Sequence, residues 1–209
     1  GNGGTQSITG LNFSPDLVWL KHRNNPTAHQ HNLFDSIRGV TKTIHSNSTQ
    51  AEETMSAGLT SFNSDGFSIG SNAAVNQSPY NYVAWNFKAG GAAVANDDGN
   101  VTSQVSANTT LGFSIVSFSN TNSTTNTFGH GLGAQPELVI IKPTSITADW
   151  FVYVDSLGKS KRLKLNTTDS QSSWGSNDGW NTVTGITSSV LSFAYSGTSY
   201  PFIAYCFTS

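Results

Sequence analysis

Pro136-Glu137-Leu138-Val139-Ile140-Ile141-Lys142 opens on a proline, continues with an acid and four apolar residues, and closes on a lysine. That is the grammar of one buried strand with marked ends, because proline cannot extend a sheet ladder inward and a short apolar run bounded by polar residues fits a strand. The same grammar occurs earlier as Pro15-Asp16-Leu17-Val18-Trp19-Leu20-Lys21, at an offset of 136 − 15 = 121. Asp35-Ser36 answers Asp155-Ser156 at 155 − 35 = 120, and Asn47-Ser48-Thr49 answers Asn166-Thr167-Thr168 at 166 − 47 = 119. Tyr82-Val83-Ala84-Trp85-Asn86-Phe87 answers Phe202-Ile203-Ala204-Tyr205-Cys206-Phe207 at 202 − 82 = 120. Four matches in one order at nearly one offset read as two copies of a single module.

Composition points to the same class. Charged residues make up only 11% of the 209, against roughly 25% in ordinary soluble domains. Serine, threonine and asparagine take their place, at 30, 24 and 20 residues. These favour turns and strands over helix interiors, so the expected fold is all-β. A net charge of −2 provides no cationic surplus for phosphates or anionic lipid, which argues against a nucleic-acid partner. The single cysteine, Cys206, excludes an intrachain disulfide, and its place in an apolar run predicts a buried, inert thiol. No apolar stretch approaches the roughly 18 residues of a membrane-spanning helix, so membrane insertion is not expected.

Between the marked strands, polar loops alternate with short strand-like runs. Thr49-Gln50-Ala51-Glu52 has the hydroxyl-to-glutamate spacing of a helix start, which predicts one or two helical turns before Gly58. Leu59–Phe62, Phe67–Gly70 and Tyr80–Phe87 read as further strands. The first module is therefore expected over 1–88, a linker over 89–108 and the second module over 109–209. Leu111–Ser119 alternates from Phe113 onward and reads as the opening strand of the second module, and its counterpart would lie before Gly1. The first module is thus expected to lack its opening strand.

Candidate chemistry is sparse. His29-Gln30-His31 could place two imidazoles on a metal but has no third ligand at metal-site spacing, so a solvated loop is favoured. Asn96-Asp97-Asp98-Gly99-Asn100 lacks the final glutamate of a calcium loop and reads as a turn. His130 sits in Gly129-His130-Gly131-Leu132, and at offset 121 its counterpart is Thr9, while Gly131 and Leu132 answer Gly10 and Leu11. Both copies keep the turn and not the imidazole, so a turn-capping histidine is favoured over a general base. The repeated Asp-Ser aspartates, Asp35 and Asp155, are expected to close turns on backbone N–H groups. No Gly-x-Ser-x-Gly elbow occurs, and with 12 acids in all a carboxylate pair for glycoside hydrolysis has little support. No catalytic residue, metal or cofactor is expected. Trp174 and Trp180 stand among turn residues in Ser172–Trp180; Trp174 with Asn177 and Asp178 offers a flat apolar face beside polar groups, as a sugar-binding loop requires.

Several of these motifs carry a resemblance. Gly129-His130-Gly131-Leu132-Gly133 with Pro136–Lys142, Tyr153–Gly158, Leu165–Asp169 and Ile203–Phe207, preceded by Leu33–Gly39 and Tyr82–Gly91, resemble the tandem modules of large structural proteins of tailed phages. These are common in marine and cyanobacterial phages and are often labelled tail or tail-fibre proteins. The resemblance covers nearly the whole chain. The ordered repeat and the turn signals between short strands themselves predict two tandem antiparallel β-sandwich modules of jelly-roll or lectin-like type, related by internal duplication. The resemblance implies a virion structural protein, part of a tail, fibre or capsid decoration, located in the phage particle. The partners implied are other virion subunits, copies of the chain itself in a homo-oligomer, and a host-surface glycan. The alternative is a secreted lectin or a glycan-degrading enzyme built on the same sandwich.

Overall fold

Leu17, Val18, Trp19 and Leu20 alternate between two different apolar layers, and that double burial explains why the marked strands are apolar without interruption. The computed structural model describes residues 1–24, 29–121, 125–173, 181–194 and 198–209. In chain order the strands of the first part are β1 (Gln6–Thr9), β2 (Leu17–His22), β3 (Asn32–Asp35), β4 (Lys42–His45), β5 (Glu53–Thr54), β6 (Leu59–Asn63), β7 (Gly66–Ile69) and β8 (Tyr82–Phe87). A short helix, α1 (Ala73–Asn76), precedes β8. There follow β9 (Val94–Asn96), β10 (Ser103–Asn108), β11 (Phe113–Ser119), β12 (Asn126–Gly129), β13 (Leu138–Pro143), β14 (Phe151–Val154), β15 (Lys161–Lys164), β16 (Ser172–Ser173), β17 (Asn181–Ile186), β18 (Val190–Ala194) and β19 (Pro201–Phe207). The protein is all-β, with 45% of residues in strands and 4% in helix, and among the described residues the strands pair antiparallel, with one isolated parallel bridge from Val101 to Phe128 of β12.

Four sheets form. One runs β5-β4-β3-β2-β8 and a larger one β16-β15-β14-β13-β19-β11-β10-β9, with two three-stranded sheets, β1-β7-β6 and β12-β18-β17. The connectivity of the first sheet matches that of the β16-to-β19 run in the second. The register of β2 with β8 matches that of β13 with β19, since Leu17 faces Phe87 as Leu138 faces Phe207; on the other side the registers differ by one residue, Leu17 facing Asp35 and Leu138 facing Val154, the residue before Asp155.

Three apolar layers separate the four sheets. Val18, Leu20 and Phe34 pack on Leu59, Phe67 and Ile69, joining the five-stranded sheet to β1-β7-β6. Val139, Ile141, Phe202 and Ala204 pack on Phe128, Leu191 and Phe193 at the other end of the molecule. In the middle, Leu17, Leu33 and Ile44 meet Phe113, Ile115, Trp150, Ile203 and Tyr205, so the two large sheets face each other through a common core.

Two expectations are corrected. The stretch 89–108, expected as a linker, carries β9 and β10, which extend the large sheet beyond β11. Its serines are buried there because carbonyls receive them: Ser103 Oγ donates to Gly129 O and Ser106 Oγ to Gly91 O, each at 2.8 Å. The predicted helical turns after Thr49 are absent. That segment is held extended against the other half, with Glu52 N–H donating to Thr144 O at 2.7 Å and Thr49 O accepting from Ala148 N–H at 2.8 Å. The helix forms instead at Ala73, where Asn72 accepts from the Ala74 N–H as its cap.

Candidate functional site

Of the residues that sequence reasoning proposed for glycan contact, Trp174, Asn177 and Asp178 lie outside the described residues. The remaining candidates are placed. His31 Nδ1 accepts from Trp19 Nε1 at 3.0 Å, and His22 Nε2 accepts from the His29 N–H at 2.9 Å. Their rings are thus engaged with neighbours, and among the described residues no three His, Cys, Asp or Glu groups converge on a point that could hold a metal ion. Burial lowers the pKa of both His22 and His31, and the nearby Lys21 ammonium adds to this.

His130 is fully buried, with Nε2 toward Thr187 O at 3.3 Å and Nδ1 accepting from the Leu132 N–H at 3.3 Å. The ring clasps the turn after β12 to the β17–β18 hairpin, and burial keeps it neutral. At the matching turn after β1, Asp65 does this from the opposite side. Its carboxylate on the β6–β7 hairpin accepts from Gly10 N–H at 3.0 Å and Asn12 N–H at 2.6 Å. Gly10 and Gly131 have φ of +90° and +69°, the left-handed backbone that both turns require. Asp97 and Asp98 bond within their own turn, to Thr102 Oγ1 and to Asn96.

The Asp-Ser pair serves two different ends. Asp35 Oδ1 accepts from the N–H groups of Ile37 and Arg38, as a turn-closing aspartate should. Its other oxygen accepts from Arg38 Nε at 2.6 Å and from the Tyr205 hydroxyl at 2.9 Å, with no solvent access. Burial opposes the charge on Arg38, but Asp35 beside it outweighs burial and holds the guanidinium above its ordinary pKa. Asp155 closes no turn with its side chain; it accepts from Tyr153 Oη at 2.6 Å and Gln135 Nε2 at 2.9 Å. Sequence reasoning missed Arg38, Tyr205 and Lys142 as members of a buried polar seam between the halves. Lys142 is fully buried, donates to Thr49 O at 2.9 Å and to Ala148 O, and burial lowers its pKa to about 8 against an opposite pull from Asp149. Cys206 is likewise buried, which pushes its thiol up to about 12 and withholds the thiolate a nucleophile needs.

What remains open is the outer edge of β8. Its partner on one side is β2, and among the described residues no strand pairs with the other side. In the large sheet the corresponding strand, β19, lies between β13 and β11 and is buried along most of its length. β8 is only partly buried, with Trp85 44% exposed. A cleft of about 560 Å³ opens on one side, lined by Ile8, Leu11, Leu20, Phe67, Ile69 and Ala84 among others. A second, apolar groove of about 460 Å³ is lined by Phe13, Phe87, Leu111, Phe113 and Phe207. Asn86 borders both, and its Oδ1 is buried without a hydrogen-bond partner. Apolar walls, unpaired main-chain groups and one orphaned carbonyl equip this place to bind an extended chain.

These features define an all-β protein of stacked antiparallel sheets, with the β8 edge open among the described residues. The chain belongs to the DUF7483 family, a domain of unknown function, which it matches over residues 1–209. No curated protein and no solved structure matches it.

Proposed function

We propose that the chain is a structural component of a tailed-phage virion, a module of a tail, fibre or capsid decoration that assembles with other virion subunits, including copies of itself. The observation that carries this reading is the set of paired motifs, Pro15–Lys21 with Pro136–Lys142 and Tyr82–Phe87 with Phe202–Phe207, which resemble the tandem modules of such proteins. The two groups of strands are, on this reading, copies of one antiparallel β-sandwich of jelly-roll or lectin-like type. Their common strand order and register support it. A scaffold with a shared apolar core and few charges suits a rigid building block. A host-surface glycan contact through Trp174, Asn177 and Asp178 completes the proposal; a single stacked aromatic contributes on the order of 1 kcal/mol, so binding relies on many copies per particle.

Mass spectrometry of purified phage particles encoding a chain of this family tests the location: the protein is expected among the virion components, and its absence from particles would overturn the reading. Trp174→Ala, with the fold verified by circular dichroism, is expected to reduce particle adsorption to cells. Unchanged adsorption would remove the glycan contact and leave the building role.

A further inference from the structure

Leu20, Asn32 and His45 stand in one row across β2, β3 and β4, each directly opposite the next. Paired residues share a face of the sheet, and Leu20 marks that face as the one turned to β1-β7-β6. In the second half the same row reads Ile141, Phe151 and Lys164. There Phe151 is buried in the outer apolar layer, with the Arg162 guanidinium 4.8 Å from the centre of its ring. The fold therefore accommodates a large apolar side chain at this register, and the first half carries asparagine instead. Asn32 is fully buried, and its Nδ2 donates to Gln30 O at 3.2 Å, which fixes the orientation of the amide and leaves Oδ1 without a donor. A buried, unpaired carbonyl is a cost that an apolar residue would avoid.

Asn32 borders a cavity of about 280 Å³. Met55 and Ala74, which belong to the outer apolar layer, form its apolar side. The polar walls are held in place. His45 Nδ1 faces His31 O at 3.2 Å and Nε2 faces Glu53 Oε1 at 3.1 Å, so the ring fixes the carboxylate beside the cavity and Oε2 stays open to a ligand. His29 is anchored by its main chain, its N–H donating to His22 Nε2 at 2.9 Å and its O accepting from Lys21 Nζ at 3.0 Å, and its ring packs edge-on to His22. Gln50 Oε1 accepts from Ser48 Oγ at 3.2 Å, and its Nε2 is left for a partner in the cavity.

The lining selects a ligand by charge and by hydrogen bonding. Among the described residues it contains no lysine or arginine, which leaves an anion without a counter-charge beside Glu53. One carboxylate, already facing His45, is too few for a divalent cation, and among the described residues no three ligating groups converge here. The carboxamides of Gln30, Asn32 and Gln50 beside that carboxylate offer donors and acceptors side by side, which suits hydroxyl groups, because each hydroxyl both donates and accepts. At about 30 Å³ per water the cavity equals on the order of nine waters, room for one six-membered sugar ring. We propose that this pocket binds a single neutral sugar residue. Its hydroxyls donate to Asn32 Oδ1 and Glu53 Oε2 and accept from Gln50 Nε2, and the C–H face of its ring rests on Met55 and Ala74. The site is separate from the Trp174 loop and does not depend on where the protein resides.

The probes are D-glucose, D-galactose, D-mannose and N-acetyl-D-glucosamine, each titrated into the isotope-labelled 209-residue chain, with calcium chloride and sodium phosphate as arms for a cation and an anion. At least one sugar is expected to shift the side-chain amide resonances of Asn32 and Gln50 saturably. Glu53→Gln should weaken that binding about tenfold, as befits one hydrogen bond to a charged group. Asn32→Leu should abolish the shift at Gln50 without lowering the urea midpoint, since it removes the orphaned carbonyl. If Asn32→Leu does not fold, Glu53→Gln alone decides, because the Glu53 side chain is 52% exposed and its replacement leaves the core untouched. Silence toward all four sugars overturns the proposal, as does binding that Glu53→Gln leaves intact, or shifts of these amides by calcium or phosphate and not by sugar. Trp174→Ala should leave the shifts unchanged; their loss would assign the sugar to that loop, so this pocket and the Trp174 contact are read separately.

Discussion

The hydroxyl of Tyr205 donates to Oδ2 of Asp35 at 2.9 Å across 170 positions of sequence, and both side chains are buried between the two large sheets. This bond ties β19 to the end of β3 and neutralises part of the demand that Arg38 places on the same carboxylate. Tyr205→Phe is expected to cost about 1–2 kcal/mol, since Arg38 continues to occupy Asp35. Asp35→Ala is expected to cost about 3–5 kcal/mol, because it takes away the nearer counter-ion of a buried guanidinium and leaves it the Glu52 carboxylate at 3.4 Å. Urea midpoints of the two variants check the order; equal losses would mean that Arg38 finds another counter-ion.

Trp150 tests whether the halves unfold together. Its ring is fully buried in the central layer and its Nε1 donates to His45 O at 2.7 Å. The intact chain is expected to unfold in one transition by both fluorescence and circular dichroism. Trp150→Ala removes the ring from the shared core and is expected to cost about 3–5 kcal/mol. A variant that loses stability in only one of two resolved transitions would show halves that fold independently.

Alkaline stability carries two opposed signatures. Lys142 has a folded pKa of about 8 against an ordinary value near 10.5, so the unfolded chain holds more protons between those values and stability rises with pH there. Cys206, pushed up to about 12, and then Tyr205, raised by burial and by Asp35, keep protons that the unfolded chain releases. Stability therefore falls once pH passes the ordinary thiol and phenol values. Lys142→Met should remove the rising limb, worth on the order of 1 kcal/mol, and leave the fall. Denaturation midpoints from pH 7 to 11 for the two proteins read the difference; parallel curves would exclude Lys142.

On the acid side, burial lowers the pKa of His130, and a lowered base binds fewer protons folded than unfolded. Stability is lost as pH drops from about 6.5 through the folded value. His130→Gln is expected to flatten this slope while lowering stability at pH 8, where the clasp to Thr187 is intact in the natural chain. A slope unchanged by the substitution would assign it to His22 and His31, whose pKa values are also lowered.

Local pattern carried much of the fold. The two proline-marked runs and their partners Tyr82–Phe87 and Phe202–Phe207 are adjacent strands in their sheets, as β2 with β8 and β13 with β19. What escaped were positions where a polar residue is buried because something distant receives it. Ser103 and Ser106 are buried in β10, inside the stretch expected as a linker, and the carbonyls that satisfy them lie at Gly129 and Gly91. Lys142 read as the polar residue that closes a strand, yet it is buried and reaches the carbonyls of Thr49 and Ala148. The spacing Thr49 to Glu52 is a sound local helix signal, overridden by main-chain bonds to Ala148 and Thr144 that no local pattern announces. The β8 edge was foreshadowed by the unmatched Phe113–Ser119 strand, but its two flanking cavities follow only from packing.

The seam between the halves reads main chain far more than side chain in one stretch. Trp150 and Lys142 donate to the carbonyls of His45 and Thr49, Ala148 donates to Thr49, and Glu52 donates to Thr144. A surface recognised through its carbonyls is indifferent to much of the lettering that hangs from it. Apart from the buried Ser46 and from Asn47, whose Oδ1 accepts from the His31 N–H at 2.9 Å, this stretch up to residue 51 is therefore open to substitution among relatives, whereas inserting or deleting a single residue there would slide several carbonyls out of reach at once. The constraint on that loop is its length and path, and it would be seen in related chains as variable identity at fixed spacing.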